Sequence, residues 1–289
     1  MAKWTGKSKG TPLGYQIFIF IIKTLGVRFA YIILAFVAFY YLLFSKDGRD
    51  AGMLYFHDRL GFSKFKSIFK VYKNNFVFGQ TIIDKYAIQL GQRNQFTYEF
   101  DGIDTLHKLL EEKKGGILIS AHVGNFEISE FFLSEIDDFS QINLVTTDNE
   151  HQEIKKQLDA IALKSNVKFI IVKDDMSHIF DINAALNNNE LICFTGDRYF
   201  EGAKTLTANF LGAPAEFPAG PFLLGSRLKV PVVFVYVMKE TSKHYHLYAR
   251  KAKFKNRDAN DLLNQYTQSV QWILRKYPYQ WFNYFDFWK

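Results

Sequence analysis

"GGILISAHVGNFEISEFFL", residues 115–133, contains the change of pattern on which the fold turns. Ile117, Leu118 and Ile119 make a short apolar run of the kind that forms a buried strand. Gly124 and Asn125 follow as turn and helix cap, after which Phe126, Ile128, Phe132 and Leu133 recur at helical spacing. His122 and Glu127 lie five positions apart at this junction. On one continuous helix their side chains would point about 140° apart. Across a strand–turn–helix junction they can converge. In open α/β sheets ligands bind outside the carboxyl ends of the strands, and His122 falls at such an end.

Outward from this stretch the same alternation continues. Strand-like runs occupy 117–120, 142–146, 167–172, 191–195 and 232–238, with a further run at 244–250 expected as an antiparallel edge strand. Helical patterns fall near 103–113, 125–137, 152–165, 177–187, 219–228 and 259–275. The pattern predicts an α/β layer with a mainly parallel sheet flanked by helices. Pro214, Pro218, Pro221 and Pro231 crowd into eighteen residues. Pro221 suits the first turn of a helix and Pro231 the start of the next strand, which brings Ala219 and Gly220 toward the cleft as candidate backbone donors.

The N-terminal part is different. Phe29 to Phe44 is an unbroken apolar run of 16 residues, and extension back to Leu25 is interrupted only by Arg28. A helix of about 20 such residues covers one hydrocarbon core of roughly 30 Å. A shorter run, Leu13 to Ile22, precedes it. After it, Phe62, Phe65, Ile68, Phe69, Tyr72 and Phe76 stand at helical spacing with lysines between them, as in a helix lying on a membrane or docked on the domain. Residues 1–60 are therefore expected as an N-terminal hydrophobic anchor, a single membrane helix or a helical hairpin, and 61–289 as the catalytic domain. The net charge of +7 agrees: residues 1–75 carry +9 and the remainder −2. Positive charge on the most apolar segment points to an anionic lipid surface and away from nucleic acid.

Cys193 is the single cysteine, so no internal disulfide framework exists, and the histidines show no metal-ligand spacing; neither a metal nor a bound cofactor is expected. No Gly-x-Ser-x-Gly elbow supplies a nucleophile. The chemistry open to His122 and Glu127 is general base catalysis, in which a neutral imidazole takes a proton from an attacking hydroxyl or amine while the carboxylate fixes its tautomer. N–H groups at the start of the 125–137 helix would stabilise the oxyanion. A structural histidine bonded to a carboxylate, in a non-catalytic lipid-binding protein, is the alternative, and a membrane-anchored hydrolase a second. His107 and Glu112 repeat the spacing within one helical pattern and diverge.

"SAHVGNFE" resembles the first sequence block of the lysophospholipid acyltransferase superfamily, in the branch of the late lipid A (lauroyl/myristoyl) acyltransferases. "CFTGDRYFEGA" (193–203), "FLGAPAEFPAGPFLLGSRLKVPVV" (210–233) and the aromatic tail "YPYQWFNYFDFWK" (277–289) resemble later parts of that branch in the same order. The resemblance implies a membrane-associated α/β enzyme of the inner (cytoplasmic) membrane, with its catalytic domain facing the cytoplasm. It would move a fatty acyl group from an acyl thioester, on acyl carrier protein or coenzyme A, to a lipid or glycolipid. It implies His122 as catalytic base and Glu127 as its partner, with Gly124 and Asn125 completing the block. Asp197 and Arg198 would line the donor or acceptor pocket. The Arg–Pro dipeptide common after the second strand of that branch is absent from "VTTDNEHQE" (145–153), so lipid A, an aminolipid and a pigment headgroup all stand as acceptors.

Overall fold

The computed structural model of the chain describes residues 12–129, 141–147, 167–173, 175–199 and 202–288. Seven strands form one sheet in the order β1-β9-β8-β2-β5-β3-β4. They are β1 (Thr97–Asp101), β2 (Gly116–Ser120), β3 (Ile142–Thr146), β4 (Lys168–Ile171), β5 (Leu191–Thr195), β8 (Val232–Lys239) and β9 (His244–Lys251). All pairings are parallel except β8 with β9. β2 and β8, the central strands, are buried at every position, so each reads as an unbroken apolar run rather than an alternation.

Alternation still decides which face each side chain joins. Ile117, Ile119, Ile192, Phe194, Val232 and Phe234 enter the larger core. There they meet α7 (Ala219–Arg227) and α8 (Ala259–Lys276) through Phe222, Leu262 and Tyr266. Leu118, Cys193, Val233 and Val235 face the other way, onto Leu106 and Leu109 of α5 (Ile103–Glu111). α6 (His178–Asn187) packs Ile182 and Leu186 into the larger core. The expected helix near 152–165, and all of the 125–137 helix beyond Ser129, lie outside the described residues.

Two departures from expectation have clear causes. The 244–250 run is antiparallel as expected but is not an edge, because β1 pairs in parallel along its outer side. Thr-Tyr-Glu-Phe-Asp, half exposed, carries too little apolar signal to stand out from its sequence. The segment 205–218 is a hairpin of β6 (Thr205–Phe210) and β7 (Ala213–Pro218), outside the main sheet. Prolines argue against strands within a sheet, yet Pro214 and Pro218 are tolerated in this two-stranded ribbon, where each strand has an unpaired side. Its turn places Leu211 and Gly212 both at positive φ, a geometry for which leucine is a poor sequence signal.

The N-terminal helices are α1 (Pro12–Thr24), α2 (Val27–Phe44), α3 (Lys46–Met53) and α4 (Lys64–Ala87). Gly26, at φ +83°, breaks α1 from α2. α2 runs antiparallel to α4: Tyr31 meets Asp84, and a Cβ on Gly79 would collide with Leu34. Tyr31 and Leu34 share a core with Ile83, Tyr86 and Tyr245, so these helices close over the β9 end of the sheet. The opposite face of α2, with Phe29, Ile32, Phe36 and Phe39, is exposed, as are Phe65, Ile68 and Phe69 on α4.

The aromatic tail packs chiefly inward. Trp281 contacts Phe210 edge-on, Phe287 meets Phe210 at a tilt, and Phe217 meets Phe287. Trp281, 2% exposed, joins the tail, the hairpin and Tyr55. Trp281→Ala is expected to destabilise the fold by about 3–5 kcal/mol, seen as a lower denaturant midpoint with an unchanged slope.

Candidate active site

β2 and β5 are parallel neighbours with Ser120 opposite Thr195. Two residues beyond each strand, the same register brings His122 beside Asp197. His122 Nδ1 lies 2.7 Å from Asp197 Oδ1, and the His122 backbone N–H donates to Asp197 Oδ2 at 3.0 Å. The carboxylate is 4% exposed and the imidazole 24%, so the acid is inside and the ring faces the opening. Gly196 lets α8 pack against the end of β5, since a Cβ there would lie 2.9 Å from the Tyr266 ring. Burial pushes the Asp197 carboxyl up, but the charge and hydrogen bonds of His122 and the Arg198 charge outweigh it and hold the carboxyl below its ordinary value. An ionised Asp197 accepts the Nδ1 hydrogen and leaves the lone pair of His122 on Nε2.

The turn after His122 is held from three directions. Gly124 N–H donates to the Gln280 carbonyl at 2.9 Å, Phe282 N–H to the His122 carbonyl at 3.0 Å, and Asn125 N–H to the Val237 carbonyl at 2.7 Å. Gly124 adopts φ +60°, and a Cβ on it would lie 2.1 Å from the Val237 oxygen, so no other residue fits without moving β8. Asn125 stands at the cap position of a single 3₁₀ turn, Phe126–Ile128, but its side chain makes no cap. It is buried and donates to the Thr81 carbonyl at 2.9 Å and to the Tyr245 hydroxyl at 3.3 Å. The N–H groups of Gly124 and Asn125 are therefore already engaged and do not supply the expected oxyanion donors. Glu127 has its backbone in the 3₁₀ turn, and its side chain lies outside the described residues.

Arg198 donates to the Phe282 carbonyl at 2.6 Å, which gathers His122, Asp197, Arg198 and the tail at one point. Ala219 and Gly220 open α7, beyond Pro218. The Ala219 N–H donates to the Lys204 carbonyl at 2.9 Å and is not a free donor, whereas a Cβ on Gly220 would meet nothing within 4 Å. Burial pushes the Cys193 thiol up to about 12, which makes it a core residue and a poor nucleophile. An apolar cleft lined by Phe100, Leu106, Leu118, Phe126, Val235 and Leu247 opens on the α5 side of the 3₁₀ turn. The β1–β9 pairing also gathers Glu99, Glu240 and His244, whose ligand atoms lie within 4.8 Å of one another. That group, in which only Glu99 is distant in sequence, has metal-ligand chemistry, but His246, Tyr277 and Lys276 already engage its carboxylates.

The Asp197–His122 pair thus sits at the carboxyl ends of two adjacent parallel strands, the carboxylate buried and the imidazole partly exposed. The chain belongs to the bacterial lipid A biosynthesis acyltransferases, whose family pattern matches residues 13–289. None of the curated proteins compared with it matches significantly.

Gly124→Ala is expected to cost at least ~2 kcal/mol in thermal or denaturant stability, because it combines a positive φ with a backbone clash. Gly220→Ala is expected to leave stability unchanged. A loss of turnover in the folded Gly220→Ala protein would identify that open space as occupied by substrate.

Proposed function

We propose that the protein transfers a fatty acyl group from a thioester, carried by acyl carrier protein, to a hydroxyl of a lipid A precursor, with His122 as general base and Asp197 as the group that orients it. The observation that carries this reading is the 2.7 Å contact between His122 Nδ1 and a buried, ionised Asp197. His122 Nε2 takes the hydroxyl proton as the acceptor oxygen attacks the thioester carbonyl. The C–O bond forms and the carbonyl becomes an oxyanion. On collapse the C–S bond breaks, and the departing thiolate takes the proton from the imidazolium. Asp197 stabilises that imidazolium without itself becoming protonated. Glu127 is the motif's second carboxylate, one short turn later, and Arg198 supplies fixed positive charge beside the pair, suited to a phosphate of donor or acceptor.

The setting proposed is the cytoplasmic membrane, with the catalytic body on the side where acyl thioesters are available. α2 is long and apolar enough to cross a bilayer, and a third of its apolar window is buried against the body. Its exposed phenylalanines, with Phe65 and Phe69 beside Lys64 and Lys66 on α4, make an apolar surface bordered by cations. Replacement of Phe36, Phe39, Phe65 and Phe69 by serine is expected to lower the fraction of protein that floats with anionic vesicles, while the far-ultraviolet spectrum stays unchanged.

Asp197→Asn preserves shape and reverses the imidazole tautomer, so kcat is expected to fall about 10³–10⁴-fold in folded protein. His122→Ala should fall as far. The comparison with Glu127→Gln assigns the orienting carboxylate: if Asp197→Asn stays within a few-fold of wild type while Glu127→Gln is inactive, Asp197 is structural and Glu127 holds that role.

A further inference from the structure

Asp84, in the middle of the fold, is 0% exposed, and Lys239 bonds to it. A buried ion pair seldom contributes more to stability than well-packed apolar residues of the same volume would. Here the groups around it are fully matched. The three hydrogens of the Lys239 ammonium go to the Asp84 carboxylate, to the Ser242 carbonyl at 2.7 Å and to the Tyr31 hydroxyl oxygen at 3.1 Å. Tyr31 donates to one Asp84 oxygen and Tyr245 to the other. The Tyr245 oxygen in turn accepts from Asn125, whose second amide hydrogen goes to Thr81 on the same helix as Asp84.

The members come from α2 (Tyr31), α4 (Asp84), β8 (Lys239), β9 (Tyr245) and the turn three residues past His122 (Asn125). Such a closed network has few alternative arrangements, because any group that leaves it strands a buried donor or acceptor. The chain of bonds Tyr31–Asp84–Tyr245–Asn125 is also the side-chain connection between the helix with the exposed apolar face and the turn that carries the base. We propose that Tyr31, Asp84 and Tyr245 are positioning residues that make the placement of the His122 turn depend on the seating of α2. This rests on the reading of His122 as the catalytic base. On this view a lipid surface that holds α2 in place also holds the turn, and displacement of α2 loosens it.

Tyr31→Phe and Tyr245→Phe test this in the full chain, reconstituted in vesicles, with an acyl-carrier-protein thioester as donor and a lipid A precursor as acceptor. Both variants are expected to lower kcat by roughly ten- to a hundredfold, as a small misplacement of a catalytic group does, with KM and vesicle binding unchanged. The double variant should be no worse than the poorer single one, since both act through Asp84. Amide exchange across 122–128 should accelerate in Tyr31→Phe while that of β5 stays at the wild-type rate. If Tyr245→Phe proves unstable, Tyr31→Phe alone carries the test. If both tyrosine variants retain turnover and exchange while His122→Ala is inactive, the linkage is overturned and the base stands. If His122→Ala itself turns over as wild type, the reading of the base falls, and the proposal with it.

Discussion

The backbone of residues 122–125 has almost no freedom. It exchanges hydrogen bonds with Gln280 and Phe282 of the tail on one side and donates to Val237 of β8 on the other, and Gly124 touches the Val237 carbonyl so closely that a side chain has no room. The place of the His122 backbone follows from this clamp. The histidine does not choose its position by its own rotamer alone; strand, turn and tail fix its Cα first. Rigid support of this kind lets one hydrogen bond, to Asp197, decide the state of the ring.

The electrostatics run in the same direction. Asp197 is buried, and a lone carboxylate at that depth would favour its neutral form. The imidazole, a backbone N–H and the nearby Arg198 guanidinium together reverse that preference, so the acid stays charged where solvent cannot help it. Arg198 is itself fixed to the Phe282 carbonyl, and so the tail supports both His122 and the charge that keeps Asp197 ionised. The aromatic-rich tail from Tyr277 onward thus supports the site by ring packing and by the backbone groups of Gln280 and Phe282.

The α/β layer was legible because buried parallel strands and their covering helices differ so plainly in length and period; β3 and β5 fall where their apolar runs predict. His122 was legible from its place at a strand end. Its pairing with Asp197 was not, because that contact depends on β2 and β5 being neighbours, and strand order is a tertiary property that no local pattern encodes. Both residues stood out singly, each two positions past its strand, and a correct strand order would have joined them. Asn125 misled in another way: its identity suits a cap, which would use Oδ1 as acceptor, but its Nδ2 donates to the Thr81 carbonyl and the Tyr245 hydroxyl and these bonds orient the side chain into the core. β1 and the β6–β7 hairpin stayed hidden where weak alternation, prolines and a Leu-Gly turn contradict the usual strand signals.

The antiparallel bridge between Val123 and Trp281 joins segments separated by more than one hundred and fifty residues. At synthesis rates of about 5–20 residues per second, the second segment follows the first by roughly eight to thirty seconds. For that interval α1 and α2 are already made, while the turn that bears His122 lacks the tail side of its clamp. The emerging polypeptide thus has its apolar N-terminal helices well before the turn is complete, and the order of translation alone sets that sequence.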